Sequence, residues 1–327
     1  MRNRVLFFIS SVFTLVGGIV GVGFVTGREV GAFFTFDASL SGVISFFIAF
    51  ALFMINADAI EEYPKFNAII KTVVSILNLI VLGCIFSAVD VIAAKLFRLT
   101  EKVKLFSIII AIFAFIISRK NLCVVKWFVI FLVPLEVTVL LLIARRADVK
   151  ALPLTPSSAK GIIYPALYAG INFLLNFQNF ADTKRGLKRS DKIRADVTAS
   201  FLVSVCALAV VVSTVGIRDR TPLLSFVESS GAFYGILIVT ALVACFISSL
   251  TTARSAFRLF QNSEPLKFLL ILAALAVSEA GFSFIIDKIY PIIGATGVII
   301  NAILLFLRIF SQKSQQARTS FPQERIV

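Results

Sequence analysis

Five glycines fall within eleven residues of one apolar stretch, Gly17-Gly18-Ile19-Val20-Gly21-Val22-Gly23-Phe24-Val25-Thr26-Gly27, and Arg28-Glu29 follow at once. Each glycine weakens a helix by up to about 1 kcal/mol. A stretch that opens in lipid must satisfy its backbone through protein, water or ions. Its carbonyls can hold a cation, and the N–H groups of the helix that resumes can hold a carboxylate. Gly17–Gly21 and Gly23–Gly27 also fit the small-xxx-small spacing of close helix packing, so both readings stand. Arg28 and Glu29 just beyond the glycines can form an outer gate or touch a substrate, or can be a solvated pair at a span end.

A second polar patch is Tyr168-Ala169-Gly170-Ile171-Asn172, with Asn176 one turn on and Gln178 and Asn179 after it. Uncharged amides within a span face protein or water, as helix–helix glue or as the wall of a solute site. Glu136 follows Pro134 in another apolar run, where a carboxyl can serve proton coupling. Lys126, lower in the same run, can serve it too or can snorkel to the surface. Asp90 and Glu279 sit where they can be near span ends and receive no role.

Other chemistry drops out. The chain has no His, which removes His metal sites, His triads and imidazole relays. Cys84, Cys123, Cys206 and Cys245 lie in apolar runs without a CxxC pair and read as small core residues. No nucleophile–base or metal pattern accompanies the intramembrane acids, so an enzyme is not expected, and no cofactor is. No pore-filter repeat indicates a channel.

The elements that must position these residues follow from composition. The 327 residues are 59% hydrophobic and only 15% charged, against about 25% charged in a soluble domain. The solvent is lipid. A spanning helix takes roughly 20 residues, so ten take about 200 and leave only short connections and tails. Ser39–Asn56, Gly161–Ala181, Val197–Ile217, Gly231–Ala253 and Ile289–Leu307 carry no charge at all. Thr72–Ala94, Val103–Ser118, Leu122–Ala144, Phe268–Ile286 and a first span from Val5 toward Phe36 complete ten. Met1-Arg2-Asn3-Arg4 is followed by no small-residue cleavage site, so the first span reads as uncleaved.

Arg145–Lys160, with Pro153 and Pro156, is the one linker-like stretch. It divides residues 1–144, a first five-helix repeat, from 161–310, a second, with 145–160 as linker and 311–327 as a tail. Five spans per half place the second half upside down relative to the first, as in many secondary transporters. Lys184, Arg185, Lys188, Arg189, Lys192 and Arg194 cluster between spans six and seven, on the side of the N-terminus. Both termini are therefore expected to be cytoplasmic in a multi-pass protein of the cell membrane. The formal charge of +14 reads as topology facing lipid headgroups and not as nucleic-acid binding.

Gly17–Gly31, with Arg28-Glu29-Val30 and Phe33-Phe34, resembles the first helix of the YkvI family of bacterial membrane proteins. Thr251-Thr252 and Tyr290-Pro291-Ile292-Ile293-Gly294 resemble two further features of that family. The family is placed in the amino acid–polyamine–organocation superfamily, with the LeuT-like five-plus-five fold. The resemblance implies an all-α protein of about ten transmembrane helices, a 5+5 inverted repeat with helices 1 and 6 broken. It implies a sodium ion facing the Gly17 and Val20 carbonyls, with Ser248 giving a carbonyl and Thr251 and Thr252 hydroxyls. Those hydroxyls can equally bond back to their own helix. It places a substrate carboxylate on the amides of Val22 and Gly23 beside Gly21, opposite a second break carrying Gly170, Asn172 and Asn176. Lys126 would be the lysine that replaces sodium in some proton-coupled members.

The expected function is a permease. It moves a small solute, most simply an amino acid, by alternating access coupled to a Na+ or H+ gradient. The alternative is an amino-acid receptor of the spore germination permease type that keeps the fold without bulk transport. The partners expected are the lipid bilayer and the solute; protein partners, substrate and oligomeric state are open.

Overall fold

A computed structural model describes residues 2–58, 60, 63–98, 104–117, 122–147, 152–231, 234–260 and 263–319. Among them there is no strand. The helices are α1 (Arg2–Gly17), α2 (Val22–Val25), α3 (Arg28–Phe34), α4 (Leu40–Ala57), α5 (Pro64–Phe97), α6 (Leu105–Ile117) and α7 (Leu122–Ala144). After the linker come α8 (Lys160–Lys184), α9 (Arg189–Thr214), α10 (Pro222–Ser230), α11 (Tyr234–Phe257), α12 (Glu264–Ser278), α13 (Phe282–Phe284) and α14 (Tyr290–Thr319). With α1–α3 taken as one interrupted span, α10 as a short connecting helix and 282–319 as one span, this is the ten-segment order expected.

Among the described residues, α4, α5, α9, α11 and the run Phe282–Phe310 are long and apolar enough to cross a membrane. Val5–Gly17, Leu105–Ile117 and Ile130–Ala144 are shorter apolar runs. The side chains of α4 show what surrounds them. Phe46, Phe50 and Met54 are fully buried, while Ile44, Ile48 and Leu52, two positions back along the helix from each, are about half exposed. A helix apolar on both its inner and outer faces is solvated by lipid on the outer one. The chain is an integral membrane protein.

Local sequence sets the ends. Ser39 caps α4, its hydroxyl accepting from the Gly42 amide at 3.2 Å, which satisfies one orphan N–H of the first turn. Pro64, Pro222 and Pro265 open α5, α10 and α12 at positions where no N–H is needed.

The linker closes on the α3–α4 junction. Leu40 and Ser41 amides donate to the Pro153 and Leu154 carbonyls at 3.0 and 3.1 Å. Asp37 accepts from the Ser157 amide at 2.9 Å and from the Ser158 amide and hydroxyl at 2.6 and 2.8 Å. The Ser157 amide first, then the Ser158 hydroxyl, hold this carboxyl below its ordinary value. A group lowered in the folded state stabilises above its unfolded value and loses that contribution as pH falls through the folded one. Hydrogen exchange at Ser157 and Ser158, corrected for the intrinsic rate, should therefore stay slow at neutral pH and quicken several-fold only below the ordinary carboxylate range. Asp37→Asn should quicken it already at pH 7. Equal protection in the variant would show that the linker is held by other contacts.

The sixth span corrects one expectation. It does not break at 168–172: α8 runs without interruption from Lys160 to Lys184. Gly170 instead lets two helix backbones touch. A Cβ on Gly170 would fall on the Gly294 carbonyl of α14, and one on Gly297 would fall on the Gly170 carbonyl. A Cβ on Gly294 would stand 2.6 Å from the Leu167 carbonyl. Glycines in a lipid-embedded helix serve close approach as readily as unwinding. In α8 the first use won: the helix stays closed, and Asn172 and Asn176 bond back within it. Their side-chain amides donate to the Tyr168 and Asn172 carbonyls one turn back, at 2.9 and 3.2 Å.

Candidate functional site: the first-span break and the Glu29 pocket

The first span does break. α1 ends at Gly17, and the chain turns through Gly18–Gly21 before α2 begins. The Gly18, Ile19, Val20 and Gly21 amides go to the Thr14, Val16, Val16 and Ile19 carbonyls, and Phe24 and Val25 go to Gly21. Among these turn hydrogen bonds none reaches the carbonyls of Gly17 or Val20. Val22 and Gly23 are the first residues of α2, with Gly21 as the flanking residue.

Two glycines seat the break against other spans. A Cβ on Gly18 would stand 2.9 Å from the Asn176 side-chain oxygen of α8, and one on Gly21 would stand 2.7 Å from the Ser248 hydroxyl of α11. Gly21 has an extended backbone that any residue can adopt, so it is the close approach that demands glycine here. The break thus meets the amide of Asn176 and the hydroxyl of Ser248, a residue expected to contribute its carbonyl instead. Ser248, Thr251 and Thr252 are all partly buried. Thr251 donates to the Ile247 and Ser248 carbonyls, both at 3.1 Å. The Ser248 carbonyl expected for the ion is therefore already shared with a hydroxyl of its own helix.

Between α2 and α3 the chain passes Gly27 in the left-handed region, at φ 76°. A side chain there would meet Leu223, the second residue of α10, at 2.9 Å, and the Leu223 amide donates to the Thr26 carbonyl at 3.1 Å. The connecting helix α10 is thereby docked on the kink.

The kink separates the two charges that follow it. Arg28 turns outward and pairs with both carboxylate oxygens of Asp287, at 2.7 and 2.5 Å. Asp287 lies in the π-helical turn Ile285–Ile289 that leads into α14. Glu29 turns inward. Its carboxyl occupies the space that a Cβ on Gly23 would need, and it accepts from the Tyr168 hydroxyl at 2.9 Å. Tyr290 is a second hydrogen-bonding neighbour, and Cys84 of α5 lies beside Tyr290. Tyr168 is fully buried. Its ring sits among Phe33 (5.4 Å), Phe46 (5.6 Å) and Phe34 (5.8 Å), which fix the hydroxyl's aim. Tyr168, Tyr290, Cys84 and Gly23 are all buried while Glu29 keeps some accessible surface.

The remaining charges fall elsewhere. Glu136 is buried on α7, within electrostatic reach of Cys206 on α9 and Cys245 on α11. Lys126 lies in the first part of α7, where the side chains are outside the described residues. Lys104 stands between Asp90 and Glu279 at 3.8 and 3.5 Å, and the Ser107 amide donates to Asp90 at 3.0 Å. Gln178 donates to the Lys71 carbonyl at 3.3 Å.

Five residues escaped the sequence reading as partners: Asp287, Tyr290, Lys184, Asp58 and Asp196. Asp287 and Tyr290 are more than 250 positions from Arg28 and Glu29. The α3 contact with the turn before α14 brings them together. Lys184 looked like one of six basic residues beyond a span. It is fully buried, with its ammonium on Asp58 Oδ1 (2.9 Å), Asp196 Oδ2 (3.0 Å) and the Met54 carbonyl (3.0 Å). Asp58, just past the end of α4, and Asp196, about two turns into α9, were the available signal.

No family model matches the chain, and no curated protein does. Among solved structures the fold is similar to that of a nucleobase-cation-symport-1 family transporter, determined in a closed conformation with bromovinylhydantoin bound. The superposition covers 90% of this chain and 74% of that one, with a TM-score of 0.55 and 15% sequence identity. The architecture is that of LeuT-like transporters.

Proposed function

We propose that the chain is a secondary active transporter that moves a small organic solute by alternating access. The observation that carries this is the interrupted first span, seated by Gly18 on Asn176 and by Gly21 on Ser248. An opened backbone is tolerated at membrane depth only where protein, water or ions satisfy it, and here the neighbours are uncharged oxygen and amide groups. The solved transporter of similar fold was determined with bromovinylhydantoin bound, which supports a small-solute site in this chain. The resemblance to YkvI proteins favours an amino acid or a related compound.

In this reading the Gly17 and Val20 carbonyls, with Ser248, Thr251 and Thr252, form a hard-oxygen site for a monovalent cation. Gly21, Val22 and Gly23 face the solute, with Asn172 and Asn176 on the opposite wall beside Gly170. The Arg28–Asp287 pair closes the outer side, and both termini lie in the cytoplasm.

Purified protein in sealed vesicles should accumulate members of an amino-acid mixture when an inward Na+ or H+ gradient is imposed. A tenfold gradient of one coupled ion is a driving force of about 1.4 kcal/mol, enough for about tenfold accumulation. Uptake indistinguishable from protein-free vesicles across the mixture, under both gradients, would overturn the reading.

A further inference from the structure

We propose that Glu29 is a proton-carrying group of this protein, binding and releasing one proton as the outer part of the first span closes and opens. The functional half of this rests on the transport reading; the chemical half does not.

The geometry singles out this carboxyl. It sits where α2, α5, α8 and α14 meet, and the groups around it carry no positive charge. Tyr168 on α8 and Tyr290 at the start of α14 are its hydrogen-bonding neighbours, and Cys84 on α5 is the next titratable side chain. The α2 segment, Val22–Val25, offers only apolar residues. The α9 and α10 contacts at the kink come through Thr214 and Leu223. The one cation adjacent in sequence, Arg28, is committed to Asp287, and Lys288 of the same turn is exposed. A carboxylate among neutral groups inside a membrane protein is costly unless it is discharged, and a proton discharges it.

The position also couples charge to movement. Glu29 is on α3, yet its carboxyl fills the notch above Gly23 on α2 and reaches Tyr168 across the span interface. The acid fits the closed arrangement. When α2 and α3 leave α8 and α14, the carboxyl reaches water and the proton passes from Oε to a water molecule, leaving the carboxylate. The reverse step reloads it. No oxidant, reductant or metal is required.

Two measurements test this on the intact protein in vesicles. In the first, infrared difference spectra are taken without any solute. Between neutral and alkaline pH, where exposed carboxylates stay ionised, the wild type should show the carbonyl stretch of a carboxylic acid, and Glu29→Gln should lose its share of that band whatever Glu136 contributes. An unchanged band in Glu29→Gln overturns the proposal. In the second, an amino-acid mixture is the probe. With one pH unit imposed, wild type should accumulate it about tenfold. Glu29→Gln should lose that accumulation and keep exchange of labelled for unlabelled amino acids. Glu29→Asp, which keeps the acid, should retain accumulation with an altered pH profile.

Proton-driven accumulation by Glu29→Gln overturns the proposal. Loss of exchange together with accumulation also does, since Glu29 would then be a solute contact. Failure of the wild type to exchange or accumulate counts against the amino-acid transport reading alone, and the infrared band still decides whether Glu29 carries the proton.

Discussion

Lys184→Ala is expected to destabilise the protein by about 3–5 kcal/mol, the cost of leaving a buried charge without its partner. Three ammonium N–H groups meet three acceptors, on Asp58, Asp196 and the Met54 carbonyl. A lysine has no more donors than that, so the cluster is complete from the cation's side. It is less so from the other: Asp196 is itself fully buried, and its Oδ1 has no hydrogen-bond partner among the described residues. Removing Lys184 strands that carboxylate at the junction of α4, α8 and α9. In detergent micelles the loss should lower Tm on the order of 10 °C. Lys184→Met combined with Asp196→Asn should recover more than half of it, because neither charge then stays buried alone. A single-variant shift of only a degree or two would mean that water reaches the cluster.

The second large effect concerns the break itself. Gly21→Leu should cut solute flux at least about 100-fold, the scale reached when a binding geometry is displaced by about 1 Å. Insertion and the amount of folded protein should stay as in wild type. The steric cause allows a sharper pair of variants. In Gly21→Ala the new Cβ meets the Ser248 hydroxyl at 2.7 Å, whereas the Ser248 Cβ is at 3.7 Å, an ordinary contact. Gly21→Ala should therefore impair flux, and Ser248→Ala added to it should restore much of it. If the double variant is no better than the single, the glycine is needed for something other than the approach of α2 to α11.

Much of the architecture was legible because lipid imposes a simple rule: every spanning segment must be apolar over about 20 residues. The break was legible because glycine concentrates at Gly17–Gly27 with charged residues absent. The same signal misled at Gly170, where one glycine pairs with Gly294 and Gly297 on a helix more than 120 positions away. Composition does not separate a joint from a contact; the identity of the facing residue does. Arg28 and Glu29 read as one unit because they are adjacent, yet adjacent helical residues point about 100° apart. One reaches Asp287 and the other Tyr168. Lys184 was hidden by its company, since five neighbours of the same charge belong to the basic connection that sets topology.

The glycine contact between α8 and α14 has a mechanical meaning. With backbones touching at Gly170, Gly294 and Gly297, and Ile171 and Val298 packed beside them, the sixth and tenth spans are held together as a single lever. Asp287 and Tyr290 ride on that lever with Tyr168. In the proposed cycle, the jointed first span opens the outer side by moving relative to that lever.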